Sequence, residues 1–216
     1  MTFVAPLRAE PPQQLLPGLP AAAYNSSDLL ENPALDDLFW HQKKRYIREF
    51  GFCLVTAEAL ILLAEYLAGK KVLEAGSGSG WLASELSLRG VDIIAADWTD
   101  YRQPPAEAGH GYPMRSVYRL DHHGDATKLL PGAFDVVMLV WPNLNTPFAE
   151  NVAKAMSSGQ IMIYEGEGVG GCNAIDAFFD VLAAEFEPLA NETKALNECH
   201  RTFPGLHDHW QILRKK

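Results

Sequence analysis

The run Val72-Leu73-Glu74-Ala75-Gly76-Ser77-Gly78-Ser79-Gly80 concentrates residue types that can do chemistry. Glycine at every second position lets the chain turn tightly out of a strand and approach a ligand with no side chain in the way. The helix that follows presents free backbone N–H groups. No Gly-Lys-Ser/Thr follows, which excludes a P-loop. With Gly76 and Gly78 as the first glycines of a dinucleotide fingerprint, the third position is Trp81, whose bulk blocks close approach of a pyrophosphate. Glu74, just before the turn, repels a diphosphate and suits an ammonium group. Asp97, 23 residues further on at the end of the apolar run Val91–Ala96, is suited to accept both hydroxyls of a ribose. The competing reading is a purely structural turn, with Glu74 capping a neighbouring helix.

Few backbones need three alternating glycines between two such carboxylates, so the ligand reading is the stronger. It describes a molecule with a cationic amino-acid end, a ribose and no phosphate, and S-adenosyl-L-methionine has that composition. The elements that must position these residues alternate in type. Asn32-Pro33 reads as a cap and first residue of a helix to about Glu49, with Leu35, Leu38, Phe39, Tyr46 and Ile47 largely on one face and Lys43, Lys44 and Arg48 on the other. Thr56 caps a second helix that stops at Gly69, and Trp81–Leu88 forms the helix after the glycine turn. Phe134–Trp141 and Ile161–Tyr164 are further apolar runs. Thr146-Pro147 starts one intervening helix, and Asn173 caps another over Ala174–Glu185. A strand near Val117 is expected, and Phe186–Leu189 with His209–Leu213 read as a late antiparallel pair. Short apolar strands alternating with helices predict an α/β fold, a mostly parallel sheet covered on both faces. Its ligand site lies at the strand carboxyl ends.

Composition restricts the function. The 216 residues are 48% apolar with five tryptophans and ten phenylalanines, which excludes a disordered chain. The longest apolar stretches, Ala59–Ala64 and Val136–Trp141, are far below the ~20 residues a membrane span needs. No basic segment followed by an apolar one opens the chain, so export is not expected. Three widely spaced cysteines suit a reducing, cytoplasmic setting. Eighteen Lys and Arg against 27 Asp and Glu give a net charge of -9, which disfavours nucleic acid as a partner. Residues 1–23 carry five prolines and read as an extended arm.

The sequence resembles the seven-stranded class I S-adenosylmethionine-dependent methyltransferases, with Rossmann-like architecture. The first motif of that superfamily looks like Val72–Gly80, its second acidic residue like Asp97, and its third motif like His123-Gly124-Asp125-Ala126. The stretch Phe50–Glu58, Trp141-Pro142 and Glu165–Cys172 are similar to a small, mostly uncharacterised branch. The resemblance covers Thr56–Lys216. It implies a seven-stranded sheet with the last strand antiparallel, with residues 1–55 as an arm and lid helix and 56–216 as the methyltransferase domain. It implies that Glu74 and the turn Gly76, Ser77, Gly78, Gly80 and Trp81 hold the methionine part. Asp97 would then hold the ribose and Asp125, beside Ala126, the adenine amino group. Trp98 would pack on the adenine face and Trp141 would form a wall. Two departures stand out: a Pro/Gly-rich segment, Tyr101–Met114, replaces a helix, and Val140-Trp141-Pro142-Asn143 replaces the Asp/Asn-Pro-Pro-aromatic tetrad of adenine and glutamine N-methyltransferases.

Methyl transfer needs an in-line approach to the sulfonium methyl, and positioning with exclusion of water supplies much of the rate. The expected acceptor is a small molecule methylated on O or N. The alternatives are a non-catalytic partner whose acceptor space is filled, or an enzyme acting on RNA or protein. His123, Asn143 and Tyr46 are the candidate catalytic residues, with His41, Glu165 and Glu167 also able to line the acceptor side. A solvated loop is an equally good reading for the two glutamates. His123 also suits packing or capping, and Cys172 lacks an evident base. His200 and His207-Asp208-His209 have no fixed ligand spacing, so no metal is expected. Nothing in the sequence sets the oligomeric state.

Overall fold

The computed structural model describes residues 33–100, 117–130, 134–203 and 205–216, with the side chains of residues 33–39 and 42 outside the description. The arm at 1–32, including the capping position Asn32, and the Tyr101–Met114 segment therefore lie outside the described residues.

In chain order the elements are α1 (Pro33–Phe50), α2 (Ala57–Leu67), β1 (Lys71–Ala75), α3 (Trp81–Ser87), β2 (Asp92–Asp97), β3 (His122–His123), a 3-10 turn (Ala126–Leu129), β4 (Val136–Val140), α4 (Phe148–Ala155), β5 (Ile161–Gly166), α5 (Asp176–Glu185), β6 (Phe186–Pro188), α6 (Ala190–Cys199) and β7 (His209–Lys215). The sheet order is β3-β2-β1-β4-β5-β7-β6. β3, β2, β1, β4 and β5 run parallel, and β7 is antiparallel to both β5 and β6. The order reverses at β1, so the crevice beyond the carboxyl ends of β1 and β4 is where such a sheet binds ligands.

Alternation along the strands feeds two cores, one on each sheet face. Val72, Met138 and Ile163 join α1, α2 and α3 on one face, whereas Leu73, Val137, Leu139 and Tyr164 join α4 and α5 on the other. Leu60, Leu63 and Leu67 of α2, spaced by three and four residues, are fully buried, and truncating any one would cost about 2–5 kcal/mol. The Thr56 hydroxyl accepts from the Ala59 amide at 3.1 Å, capping α2.

Several local expectations change. Lys43 does not take the solvent face of α1: it is buried, with its ammonium 4.8 Å from the Trp40 ring centre and 5.0 Å from that of Phe203. Burial outweighs the pull of nearby acids and lowers its pKa. The strand placed near Val117 instead falls at His122–His123, because the Tyr118 and Arg119 amides turn aside to the Ser79 carbonyl. Thr146 makes no cap bond, and Pro147 itself is the N-cap of α4. Asn173 does not cap α5, which starts at Asp176, because its side chain is used inside the β5 loop. The late antiparallel pair is present, with α6 inserted between its strands.

Candidate active site

A cavity of about 1090 Å³ opens over the carboxyl ends of β1, β2 and β4. One end is lined by Glu74, Gly76, Ser77, Gly78, Trp81, Asp97, Trp98 and Asp125. The other is lined by Trp40, Lys43, Ile47, Phe50, Phe52 and Cys53 from the N-terminal region, with Trp141, Asn143, Phe148, Cys172 and Leu206.

The glycine turn is pinned on both sides. The Gly76 and Ser77 amides donate to the Ala96 carbonyl at 2.8 and 3.0 Å, and the Gly80 amide donates to the Ser77 carbonyl. Gly80 is left-handed at φ +68°, and a Cβ there would stand 1.8 Å from the Arg119 carbonyl oxygen, so only glycine fits. Glu74 is buried and one of its oxygens accepts from the Ala83 amide, 3.1 Å away in the first turn of α3. Burial raises its pKa from the ordinary 4.5 to about 8, against the pull of that amide. The capping reading of Glu74 is therefore correct, and the same carboxyl also faces the cavity.

Asp97 ties the turn to the end of β2: Oδ2 accepts from the Gly78 amide at 2.8 Å and Oδ1 from the Thr99 amide at 2.7 Å. Burial raises its pKa despite these two donors. Trp98 projects beside it, 71% exposed. Asp125 caps the 3-10 turn through Oδ1, bonded by the Thr127 hydroxyl at 2.7 Å and amide at 3.0 Å, and the hydroxyl lowers its pKa. Ala126 is buried behind it.

Trp141 has φ +51°, a conformation that strains any residue but glycine. It is held there by its amide, which donates to the Glu165 carbonyl at 2.8 Å, and by its ring, stacked on Phe52 at 5.6 Å and 6°. The stacked pair forms one wall of the acceptor end. Asn143 is on the rim, its Oδ1 accepting from the Asn145 amide.

Two of the three candidate catalytic residues stand apart from the cavity lining. Tyr46 is buried beneath it, donating its hydroxyl to the Cys53 carbonyl at 3.2 Å and packing on Phe50 and Phe203. His123 is exposed, its Nε2 3.0 Å from the Trp98 carbonyl. His41 is exposed and also outside the lining. Glu165 and Glu167 are not on a solvated loop: both are buried, and neither lines the cavity. Glu167 accepts from the amides of Cys172 and His207. Burial works upward on its carboxyl, but these donors outweigh it and hold the pKa low. Cys172 is exposed on the cavity rim, its thiol pKa raised by Glu167.

Sequence reasoning missed Lys43, Phe52 and Phe148. Phe52 and Phe148 left a weak signal as aromatics beside predicted helix ends. Lys43 left none, because one lysine within Lys43-Lys44-Arg45 cannot be told from its neighbours without the Phe203 contact.

No family model matches the chain. Over 95 residues it is 34% identical to a ubiquinone biosynthesis O-methyltransferase of Chromobacterium violaceum, covering 43% of this chain and 40% of that protein. Over 75 residues it is 35% identical to the enzyme of the same name from Azotobacter vinelandii, covering 33% of this chain and 31% of that one. The matches thus span less than half the length of these curated relatives. Among solved structures, a TehB-like SAM-dependent methyltransferase from Corynebacterium glutamicum aligns over 86% of this chain and 100% of that one, with 18% identity and a TM-score of 0.47. The strand order with its antiparallel β7 is the seven-stranded, Rossmann-like fold that the sequence resemblance implied.

Proposed function

We propose that the chain binds S-adenosyl-L-methionine and transfers its methyl group to O or N of a small-molecule acceptor. The observation that carries this reading is the single cavity that joins Glu74, the glycine turn and Asp97 to an aromatic chamber. The residues present fit the cofactor. Ser77 Oγ, Trp81 Nε1 and Thr146 Oγ1 are buried without a hydrogen-bond partner, and all three residues line this cavity. Buried polar atoms in that state ask for a ligand or water. Glu74 would hold the ammonium, Asp97 the ribose, and Trp98 and Asp125 the adenine, with Gly76, Ser77, Gly78 and Gly80 letting the backbone come close. When bound, the cofactor supplies a methyl group on a positively charged sulfur.

The rest falls to the chain. Phe50, Phe52, Trp141, Phe148 and Leu206 offer flat apolar surface for a planar or aliphatic acceptor and keep water from the reacting atoms. Asn143, one of several polar side chains on the lining, would orient an acceptor hydroxyl or amine. Tyr46 acts from below, by holding the Cys53 loop, and His123 by fixing the Trp98 backbone. The N-terminal helix contributes Trp40, Lys43, Ile47 and Phe50 to the acceptor end. A non-catalytic reading predicts that chamber filled by Trp141 or by the Tyr101–Met114 segment; Trp141 stands as one wall of it, and the segment lies outside the described residues. The acidity of the chain and the largely apolar lining of the chamber favour a small acceptor over RNA or protein.

Calorimetric titration with S-adenosylmethionine and S-adenosylhomocysteine tests the reading. Saturable binding of both, abolished in Asp97→Ala, is expected. Absence of heat and of any thermal shift with either ligand would refute it.

A further inference from the structure

Behind the acceptor end, three side chains distant in sequence converge. Glu165, at the end of β5, faces the same side of the sheet as its cross-strand neighbour Trp210. His200 follows α6, and Asp208 precedes β7. His200 Nε2 lies 3.3 Å from Asp208 Oδ2 and 3.9 Å from Glu165 Oε1, and one donor atom from each of the three falls within 4.8 Å of the others. Their side chains are 8%, 1% and 0% exposed.

The polar requirements of this cluster are unmet. Among the described residues eight buried side-chain atoms lack a hydrogen-bond partner, and four of them are Glu165 Oε1 and Oε2 and His200 Nδ1 and Nε2. Asp208 and the Cys53 thiol stand beside the Glu165 carboxyl as its polar neighbours, and the two carboxyls can meet only through a shared proton or a bridging cation. The other oxygen of Asp208 is taken by the Thr202 hydroxyl, which leaves Oδ2 turned to His200.

The spacing bears on two explanations. A hydrogen bond from an imidazole N–H is best near about 2.9 Å, and the nearer carboxylate, Asp208, stands at 3.3 Å from His200 with Glu165 at 3.9 Å. Ligands about 2.0–2.1 Å from a tetrahedral ion stand roughly 3.3–3.4 Å apart; the His200–Asp208 separation matches that, and Glu165, at 3.9 Å from His200, would close in by about half an ångström on a bound ion. We infer that Glu165, His200 and Asp208 form a binding site for a divalent first-row transition metal ion of the zinc class. One nitrogen and two carboxylate donors suit such an ion, and two negative ligands with a neutral imidazole would neutralise it. A bound ion would fasten β5 to the segment between α6 and β7, directly behind Cys53 on the cavity wall. The absence of a short ligand spacing in the sequence is explained by one donor coming from β5 and two from the connection between α6 and β7.

The test needs no cofactor, so its failure is separate from failure of the methyltransferase reading. The purified full chain, untagged, is dialysed against zinc, passed over a desalting column and assayed for metal by mass spectrometry. It is also loaded with cobalt for absorption spectroscopy. About one equivalent of zinc per chain, visible-range cobalt bands of tetrahedral type and a melting temperature that falls on chelation are expected. Glu165→Gln and Asp208→Asn, both close in shape to the native residues, should lose at least about tenfold in metal affinity while remaining folded by circular dichroism. Substoichiometric metal in the unaltered chain, or equal binding by both variants, would overturn the site. So would a zinc-insensitive chain whose infrared spectrum shows a protonated carboxyl band that disappears in Glu165→Gln.

Discussion

The Glu74 carboxylate accepts a hydrogen bond of 3.1 Å from the amide of Ala83, joining the end of β1 to the first turn of α3 across the glycine loop. The bond stabilises the ionised form, Asp97 opposes it, and Arg119 favours it at longer range, but burial outweighs them and leaves the pKa at about 8. The unfolded chain loses this proton near its ordinary 4.5, so between the two values the folded state holds more protons. Stability of the ligand-free chain should therefore fall as pH rises through that window, by a few kcal/mol in total. Glu74→Gln keeps an acceptor for Ala83 and removes the titration. Urea unfolding at intervals between about pH 5 and pH 8 should show a flatter profile for the variant; equal slopes would refute the assignment.

A second consequence concerns the ligand. At neutral pH the carboxyl is protonated, and an ammonium brought against it favours the anion. Binding of S-adenosylhomocysteine at pH 7 should release a proton. Calorimetry in buffers of different ionisation enthalpy reads that proton directly, and its absence in Glu74→Gln identifies the source. A heat independent of buffer would mean that the amino group binds elsewhere.

Asp97 and Trp98 are neighbours with opposite structural duties. Asp97→Ala leaves the Gly78 and Thr99 amides without their acceptor, a cost of about 1–3 kcal/mol in stability in addition to lost cofactor binding. Trp98→Ala removes an exposed ring, so its melting temperature should barely move while S-adenosylhomocysteine affinity drops about tenfold. Thermal shift with titration separates the two. A Trp98→Ala chain with unaltered affinity would remove the adenine role from that ring.

Gly80 and Gly90 have similar positive φ, +68° and +87°, but different surroundings. A Cβ at Gly80 meets the Arg119 backbone, whereas one at Gly90 meets nothing within 4 Å. Gly90→Ala should cost only the left-handed penalty of about 1–2 kcal/mol. Gly80→Ala should cost clearly more, since residue 119 must move with it. Comparable denaturation midpoints for the two variants would contradict the tight packing of Arg119 on the turn.

The contrast between those glycines marks how far the sequence reaches. The glycine spacing, Glu74 and Asp97 were legible because a turn of that kind is a local pattern, and the apolar runs at 91–96 and 134–141 identified their strands for the same reason. The two-residue β3 falls later than the sequence suggests because its pairing is with β2, while the Tyr118 and Arg119 amides before it go to the Ser79 carbonyl. Lys43 was read as solvated because its burial depends on Phe203, 160 residues away. The meeting of Glu165 with His200 and Asp208 was illegible for a related reason: it is made by the pairing of β5 with β7, which no spacing records.

Asn173 departs from its sequence reading for a local reason, the folding of the loop after β5 back on itself, and that loop can be tested directly. Its side chain is fully buried, accepts from the Glu167 amide at 2.8 Å and donates to the Tyr164 hydroxyl at 2.5 Å. The Tyr164 hydroxyl in turn donates to the Glu167 carbonyl, closing a ring of bonds around Gly166. Asn173→Ala deletes both partners at once and leaves a buried amide unsatisfied, for a loss of about 2–4 kcal/mol. Asn173→Asp keeps the acceptor for the Glu167 amide but has no N–H for Tyr164, and adds a carboxylate to a fully buried position. It should therefore be at least as damaging as alanine at neutral pH and recover as the new acid is protonated. Denaturant midpoints of the three chains at pH 5 and pH 8 decide the matter. An Asp variant as stable as the native chain at pH 8 would show that the Tyr164 bond contributes little and that the ring is held together by its backbone alone.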